Sequence, residues 1–143
     1  MKLLILNGPN INMLGIREPD IYGKKSYAAL IDYVKSVCVS HGIDCECFQS
    51  NHEGALVDKI QEAYGVFDGI VFNPAAYTHT IVAIHDALLA VGIPTVEVHL
   101  TDTTSREDYR KVNFITPCCV ATFQGFGFES YKHAIDFLAE HCK

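Results

Sequence analysis

The feature that most constrains the fold is a regular alternation between short apolar segments and longer segments with helical periodicity. Five apolar segments rich in β-branched residues are predicted strands, at 2–7, 44–49, 68–73, 94–99 and 120–124. Apolar residues recur at helical spacing in the segments that follow, near 26–41, 54–64, 79–91 and 129–141. Strands joined through helices run parallel, so the pattern predicts a parallel sheet.

The predicted strands have the composition of strands that are buried on both faces. Leu3, Leu4, Ile5 and Leu6 are all apolar, as is the segment 69–72, with no polar alternation. Such strands need helices on each side of the sheet. We therefore expect an α/β fold, a flavodoxin-like doubly wound five-stranded parallel sheet with helices on both faces, in one domain over residues 1–143.

Composition excludes several classes of function. The net charge is −6, with 11 basic and 17 acidic side chains, which disfavours binding to nucleic acid. The apolar start of the chain breaks at Asn7-Gly8-Pro9, too early for a signal peptide or a membrane span, so we expect a cytoplasmic protein. The six cysteines form no C-x-x-C pair and are expected to be buried or semi-buried free thiols rather than disulfides or metal ligands.

Polar residues follow the predicted strands, where open parallel sheets bind their ligands. The segments are 7–10, 49–54, 73–74, 97–101 and 125–127. All three arginines, Arg17, Arg106 and Arg110, lie in segments that follow the first and fourth strands. Guanidinium groups suit a carboxylate or neighbouring hydroxyls, so the pattern favours a small, oxygen-rich anion as ligand. Ordinary surface charge is the alternative.

Two pairs of side chains are candidates for acid–base chemistry. Glu97 and His99 lie two apart on a predicted strand, so they share a face and the carboxylate can orient the imidazole as a general acid. Arg17 and Tyr22 lie in the unusually long connection 8–25, where a guanidinium beside the phenol favours phenolate as a base. The alternatives are a satisfied polar pair at a strand end and a packing tyrosine.

Other common motifs are incomplete. His52-Glu53 is followed by Leu56 where a zinc protease helix needs a second histidine, so no metal is expected. Ser130 stands where a dinucleotide fingerprint needs its third glycine, and no phosphate-binding loop is present. His79 and Asp86 are seven residues apart on one face of the predicted helix 79–91, which fits either a ligand site or a subunit contact.

Several longer motifs, taken in order, resemble those of one enzyme family. They are the segments 5–19 (ILNGPNINMLGIREP), 21–23 (IYG), 49–54 (QSNHEG), 73–80 (NPAAYTHT) and 97–100 (EVHL). In this order and spacing they resemble the type II 3-dehydroquinate dehydratases, and the resemblance runs nearly from end to end of the chain.

The resemblance implies that the protein is a hydro-lyase, which removes water from its substrate. The reaction would be a step of the shikimate pathway, which leads to chorismate and the aromatic amino acids. By it, Tyr22, held as phenolate by Arg17, takes a proton from C2 of 3-dehydroquinate. Asn10, through a water molecule, stabilises the resulting enolate, and His99, steered by Glu97, protonates the departing C1 hydroxyl to give 3-dehydroshikimate. No cofactor or metal is implied.

The resemblance also implies how substrate is bound. Asn73, His79 and Arg110 would bind ring hydroxyls, and the backbone N–H groups of Leu100 and Thr101 would bind the carboxylate.

Assembly is implied as well, as a homo-oligomer of four trimers forming a dodecamer in which Asp86 reaches a neighbouring subunit's site. The chain departs from the family pattern at His85, Ile81 and Thr101-Asp102, where arginine, serine and Ser-Asn are usual. The first two bear on the trimer contact. The extra carboxylate of Asp102 is expected to weaken binding of an anion.

Two rival functions are weaker. A flavodoxin-like nucleotide or flavin binding module needs a first loop rich in Gly, Ser and Thr, whereas 8–23 supplies amides, proline, arginine and tyrosine. A Schiff-base dehydratase of the type I kind is disfavoured because that enzyme uses a much longer barrel-forming chain.

Overall fold

The computed structural model describes residues 1–16, 25–79, 82–102 and 113–142. Within them the strands are β1 (Lys2–Asn7), β2 (Asp44–Gln49), β3 (Gly69–Asn73), β4 (Thr95–His99) and β5 (Ala121–Gln124). The α-helices are α1 (Tyr27–Ser40), α2 (Glu53–Glu62), α3 (Val82–Val91) and α4 (Glu129–His141). Short 3-10 helices cover Ile11–Met13, Ala75–His79 and Thr116–Cys118.

The five strands form one sheet in the order β2-β1-β3-β4-β5, and every pairing is parallel. This confirms the predicted doubly wound α/β fold. The direction in which successive strands are added reverses between β1 and β3, so the loops that leave these two strands diverge and open a crevice at their carboxyl ends.

Side chains alternate along each strand, which divides the core into two layers. Leu3 and Ile5 pack with the inner faces of α1 and α4, whereas Leu4 and Leu6 pack with α2 and α3. On β4 the valines face α1 and α4. Glu97 and His99, at the alternate positions, therefore lie on the α2 and α3 side of the sheet.

The predicted helix 79–91 was wrong at its start. Residues Ala75–His79 form a 3-10 helix, and the first described residue of α3 is Val82. The Asn73 side chain accepts a hydrogen bond from the backbone N–H of Ala75 at 3.1 Å, and Ala75 has a φ of 52°, so the chain turns tightly here instead of starting an α-helix. His79 and Asp86 consequently do not share a face of one helix.

Other predictions concern smaller features. The strands predicted from 68, 94 and 120 begin one residue later. Ser105 and Asp108 have the spacing of a capping box, which predicts a short helix carrying Arg106 and Arg110, and this segment lies outside the described residues. All six cysteines are free thiols, as predicted, and Cys38 is the buried one. No helix in the described ranges combines the length and apolar character needed to cross a bilayer.

Candidate active site

At the base of the crevice, the first residues after β1 and β3 are still in contact, at Gly8. Its backbone N–H donates to the carbonyl of Asn73 at 2.8 Å. A Cβ atom at this position would lie 2.6 Å from the carbonyl oxygen of Pro74, which is far inside van der Waals contact. Only glycine allows this approach, so the Gly8-Pro9 sequence fixes the floor of the crevice.

Polar side chains at the end of β2 hold the loop that carries Asn10. Asn10 has a φ of 68°, and its backbone N–H donates to Oδ1 of Asn51 at 3.0 Å. Gln49 Nε2 donates to the carbonyl of Gly8 and to Asn51 Oδ1, both at 3.1 Å. The exposed Asn10 is thus placed at the carboxyl edge by hydrogen bonds rather than by apolar packing.

A neutral network, consisting of Asn7, Asn73 and Tyr131, lies beneath this crevice. Tyr131 Oη donates to Asn7 Oδ1 at 2.6 Å and accepts from Asn73 Nδ2 at 3.0 Å. All three side chains are buried. Burial raises the pKa of Tyr131 strongly and outweighs the hydrogen bond from Asn73, so this phenol stays protonated.

A charged network lies at the end of β4 and consists of Glu97, His99, Asn113, Thr116 and Thr122. The Glu97 side chain is wholly buried, and its Oε2 atom lies 2.5 Å from His99 Nε2 and accepts from Asn113 Nδ2 at 3.1 Å. Its Oε1 atom accepts from the hydroxyls of Thr116 and, at 3.3 Å, of Thr122. The predicted Glu97–His99 pair is therefore brought together.

The surroundings of Glu97 keep it ionised. Burial alone would raise the pKa of this carboxyl, but hydrogen bonds from His99, Thr116 and Asn113 outweigh burial and lower it below its ordinary value. The carboxylate accepts a hydrogen bond from Nε2 and so fixes the imidazole ring, which leaves Nδ1 for proton transfer. The pair can therefore act as a general acid.

The remaining predicted site residues are distributed around the same edge. Leu100 is buried and Thr101 half-buried directly after β4, His79 is half-buried at the end of its 3-10 helix, and Asp86 is exposed on α3. Arg17, Tyr22 and Arg110 lie outside the described residues. In the described part of the chain, no group of three His, Cys, Asp or Glu side chains could hold a metal ion.

Four participants in the two networks were not predicted from the sequence. Thr122 pairs with Glu97 in the parallel register of β4 and β5, so aligning the predicted strands could have found it. Tyr131 lies in the first turn of α4, where an apolar periodicity identifies it as core. Asn113 lies in a turn and Thr116 begins a short 3-10 helix, and no apolar periodicity in the sequence relates either residue to Glu97.

Known proteins resemble this chain over nearly its whole length. The family model described as dehydroquinase class II matches residues 1–139. The chain is 51% identical to a 3-dehydroquinate dehydratase of Campylobacter hominis, over 94% of this chain and 87% of that protein. It is 48% identical to a catabolic 3-dehydroquinase of the fungus Verticillium alfalfae, over 99% of this chain and 95% of that one.

A solved structure resembles the whole fold. The type II dehydroquinase of Butyrivibrio crossotus superposes with a TM-score of 0.94 at 49% identity, covering 96% of this chain and 97% of that one. Sequence and fold agree, and the chain belongs to the class II dehydroquinase family.

Proposed function

We propose that this protein removes water from 3-dehydroquinate to give 3-dehydroshikimate, as a hydro-lyase of the shikimate pathway. The observation that carries the proposal is the buried Glu97–His99 pair at the carboxyl end of β4, in a chain that matches the class II dehydroquinase model over residues 1–139. Two similar proteins, which the match covers to 87% and 99% of their length, are named 3-dehydroquinate dehydratase.

His99 supplies the proton in this proposal. Loss of the C1 hydroxyl requires an acid, and an imidazolium held by a buried carboxylate is suited to that step near neutral pH. Glu97 stays ionised and keeps Nε2 engaged at 2.5 Å, so the proton leaves from Nδ1 and the charge of the pair changes from zero to −1.

The other steps belong to the loop that follows β1. We assign removal of the C2 proton to Tyr22 as phenolate beside Arg17, and stabilisation of the enolate to Asn10 through a water molecule. Base, acid and enolate stabiliser all come from protein and water, so the proposed reaction needs no cofactor or metal.

Substrate binding is proposed for six residues: Asn73, His79, Asp86, Leu100, Thr101 and Arg110. The side-chain amide of Asn73 has a hydrogen-bond donor that can bind a ring hydroxyl. One of its two Nδ2 hydrogens is used by Tyr131 at 3.0 Å, so one donor remains. Asp86 is exposed on α3, which suits a side chain that serves a neighbouring subunit's site in a cytoplasmic dodecamer of four trimers.

Turnover of 3-dehydroquinate by the purified full chain tests the proposal, because the product is an enone that absorbs ultraviolet light. We expect Tyr22→Phe to lower kcat by roughly 10³-fold or more, since the general base is lost. Tyr64→Phe is the matched control, because Tyr64 is 71% exposed, and it should leave kcat unchanged.

Different results would contradict the proposed function and the assignment of Tyr22 as the base. Folded wild-type protein that forms no enone would contradict the function, and bound flavin or nucleotide absorbance would then support the binding-module alternative. Enone formation that survives Tyr22→Phe would contradict only the role of Tyr22. A lysine adduct trapped by borohydride would indicate Schiff-base chemistry instead.

A further inference from the structure

The carboxylate of Glu97 accepts more hydrogen bonds than its pairing with His99 requires. Each oxygen has two donors, which together use the four lone-pair positions of a carboxylate. His99 and Thr122 lie on β4 and β5. Asn113 and Thr116 lie instead in the segment 113–118, a turn followed by the 3-10 helix Thr116–Cys118, which precedes β5.

Asn113 organises this segment with both ends of its amide. Its Nδ2 donates to Glu97, while its Oδ1 accepts from the backbone N–H groups of Ile115 at 2.8 Å and Thr116 at 2.9 Å. The turn so formed presents the Thr116 hydroxyl to Glu97. One side chain therefore places two of the four donors.

The same segment is tied to the elements that carry two proposed substrate residues. The Phe114 backbone N–H donates to the carbonyl of Thr78 at 2.9 Å, beside His79. His85, beside Asp86 on α3, donates through Nδ1 to the Phe114 carbonyl at 2.6 Å. Segment 113–118 thus joins the Glu97–His99 pair to the 3-10 helix and to α3.

We propose that Asn113 and Thr116 are positioning residues, which fix the orientation of the Glu97–His99 pair and set how tightly it holds its proton. The proposal rests on the proposed role of His99 as general acid. Donors to the carboxylate spread its negative charge and weaken its pull on the imidazolium proton. Without them the pair holds its proton to higher pH and releases it less readily to a leaving hydroxyl.

Other titratable groups near Glu97 have to be separated from this effect. Among described residues these are His99 on β4 and the thiols of Cys118 and Cys119, with His85 of α3 acting on Cys118. A hydrogen bond from Cys119 and the charge of His85 outweigh burial and lower the pKa of Cys118 to about 7. The test is therefore made in a Cys118→Ser background as well as in the wild type.

The test is Thr116→Val, which removes the hydroxyl and keeps the shape of the side chain. We expect kcat to fall roughly tenfold, because a hydrogen bond to a charged group is lost, with KM within about twofold. The alkaline limb of the kcat profile should move to higher pH. Thr116→Ser restores the hydroxyl and should recover most of the wild-type rate and pH profile.

Thr95→Val is the matched control at the opposite end of β4. Thr95 is 1% exposed, and its hydroxyl donates to the carbonyl of Ile93 at 2.9 Å, away from Glu97. It can lower stability but should leave the pH profile in place. Thr116→Ala, which adds no methyl group, is the second variant if valine disturbs the turn.

Titration of the His99 ring by NMR gives a readout that does not depend on turnover. The proposal expects its midpoint to move to higher pH in Thr116→Val and not in Thr95→Val. An unchanged midpoint would overturn the positioning role whatever the activity. A His99→Gln variant with wild-type kcat would instead overturn the role of His99 in the proposed function, so the two failures are distinguishable.

Discussion

The neutral network and the charged network occupy the same edge of the sheet and differ in how they are built. Tyr131 joins the ends of β1 and β3 to α4, so the neutral network links only regular elements. Glu97 and His99 are held partly by segment 113–118, a turn and a short 3-10 helix outside the sheet and the α-helices. Both networks are buried at their centres, where an unpaired polar group is costly.

The difference lies in which network can change protonation state. Burial raises the pKa of Tyr131, so its phenol does not ionise at neutral pH. The pKa of Glu97 is lowered despite burial, and the carboxylate faces the imidazole of His99, a side chain that can gain or lose a proton. The neutral network therefore fixes the crevice, whereas the charged network supplies the chemistry.

The largest effect should come from removing the charge of Glu97 while keeping its hydrogen bonds. In Glu97→Gln the amide oxygen can still accept from His99 and Asn113. The amide nitrogen can donate to the threonine hydroxyls, which can rotate so that they accept a hydrogen bond instead of donating one. We expect kcat to fall roughly 10²–10⁴-fold, because the imidazolium loses its stabilising charge, with the melting temperature within a few degrees.

Glu62→Gln is the control for the loss of one carboxylate, since the Glu62 side chain is 68% exposed. It should leave kcat unchanged. A Glu97→Gln protein that retains wild-type kcat would show that the charged network is structural, and would remove the distinction between the two networks.

A smaller effect, of a different kind, should follow from breaking the neutral network. Tyr131→Phe leaves Asn7 Oδ1 and Asn73 Nδ2 buried without their hydroxyl partner. We expect the free energy of unfolding to fall by about 2–3 kcal/mol, which lowers the melting temperature by roughly 6–12 °C. Calorimetry at fixed protein concentration measures the loss, with Tyr64→Phe as control.

The pH profile of the same variant sharpens the comparison. Tyr131→Phe should leave the alkaline limb of the kcat profile where it is in the wild type, since no titrating group has lost a partner. A shifted limb, or an unchanged melting temperature, would mean that the two networks are coupled through the sheet.

The sheet could be predicted from the sequence because its signal is local and repeated. Runs such as Leu3 to Leu6, apolar on both faces, specify buried parallel strands without any knowledge of partners. The start of α3 could not be predicted. Hydrophobic periodicity continues back to His79, but the Asn73 side chain caps Ala75 and produces a 3-10 helix first.

The site was predictable where its residues are close in sequence. Glu97 and His99 are two apart on one strand, so strand geometry alone places them together. Asn113 and Thr116 are 16 and 19 residues from Glu97, in chain without periodicity. Their positions follow from hydrogen bonds within a turn, which a single sequence does not reveal.

The smallest effect should be the acid dependence of stability. Because the folded pKa of Glu97 lies below its ordinary value of 4.5, the ionised form stabilises the fold. This contribution is complete above about pH 4.5 and is lost as the pH falls through the lower, folded value. Below pH 4.5 the melting temperature of the wild type should thus fall more steeply with pH than that of Glu97→Gln does.

Other carboxylates contribute to acid unfolding, so the quantity to measure is the difference between variants across the same pH range. The melting temperature of Tyr131→Phe should depend on pH as that of the wild type does, lower by a constant amount, because the neutral network gains or loses no proton in this pH range. If the curves of the wild type and Glu97→Gln are parallel instead, the carboxylate is not held in its ionised form by its four donors. The lowered pKa, and with it the functional contrast between the two networks, would then be wrong.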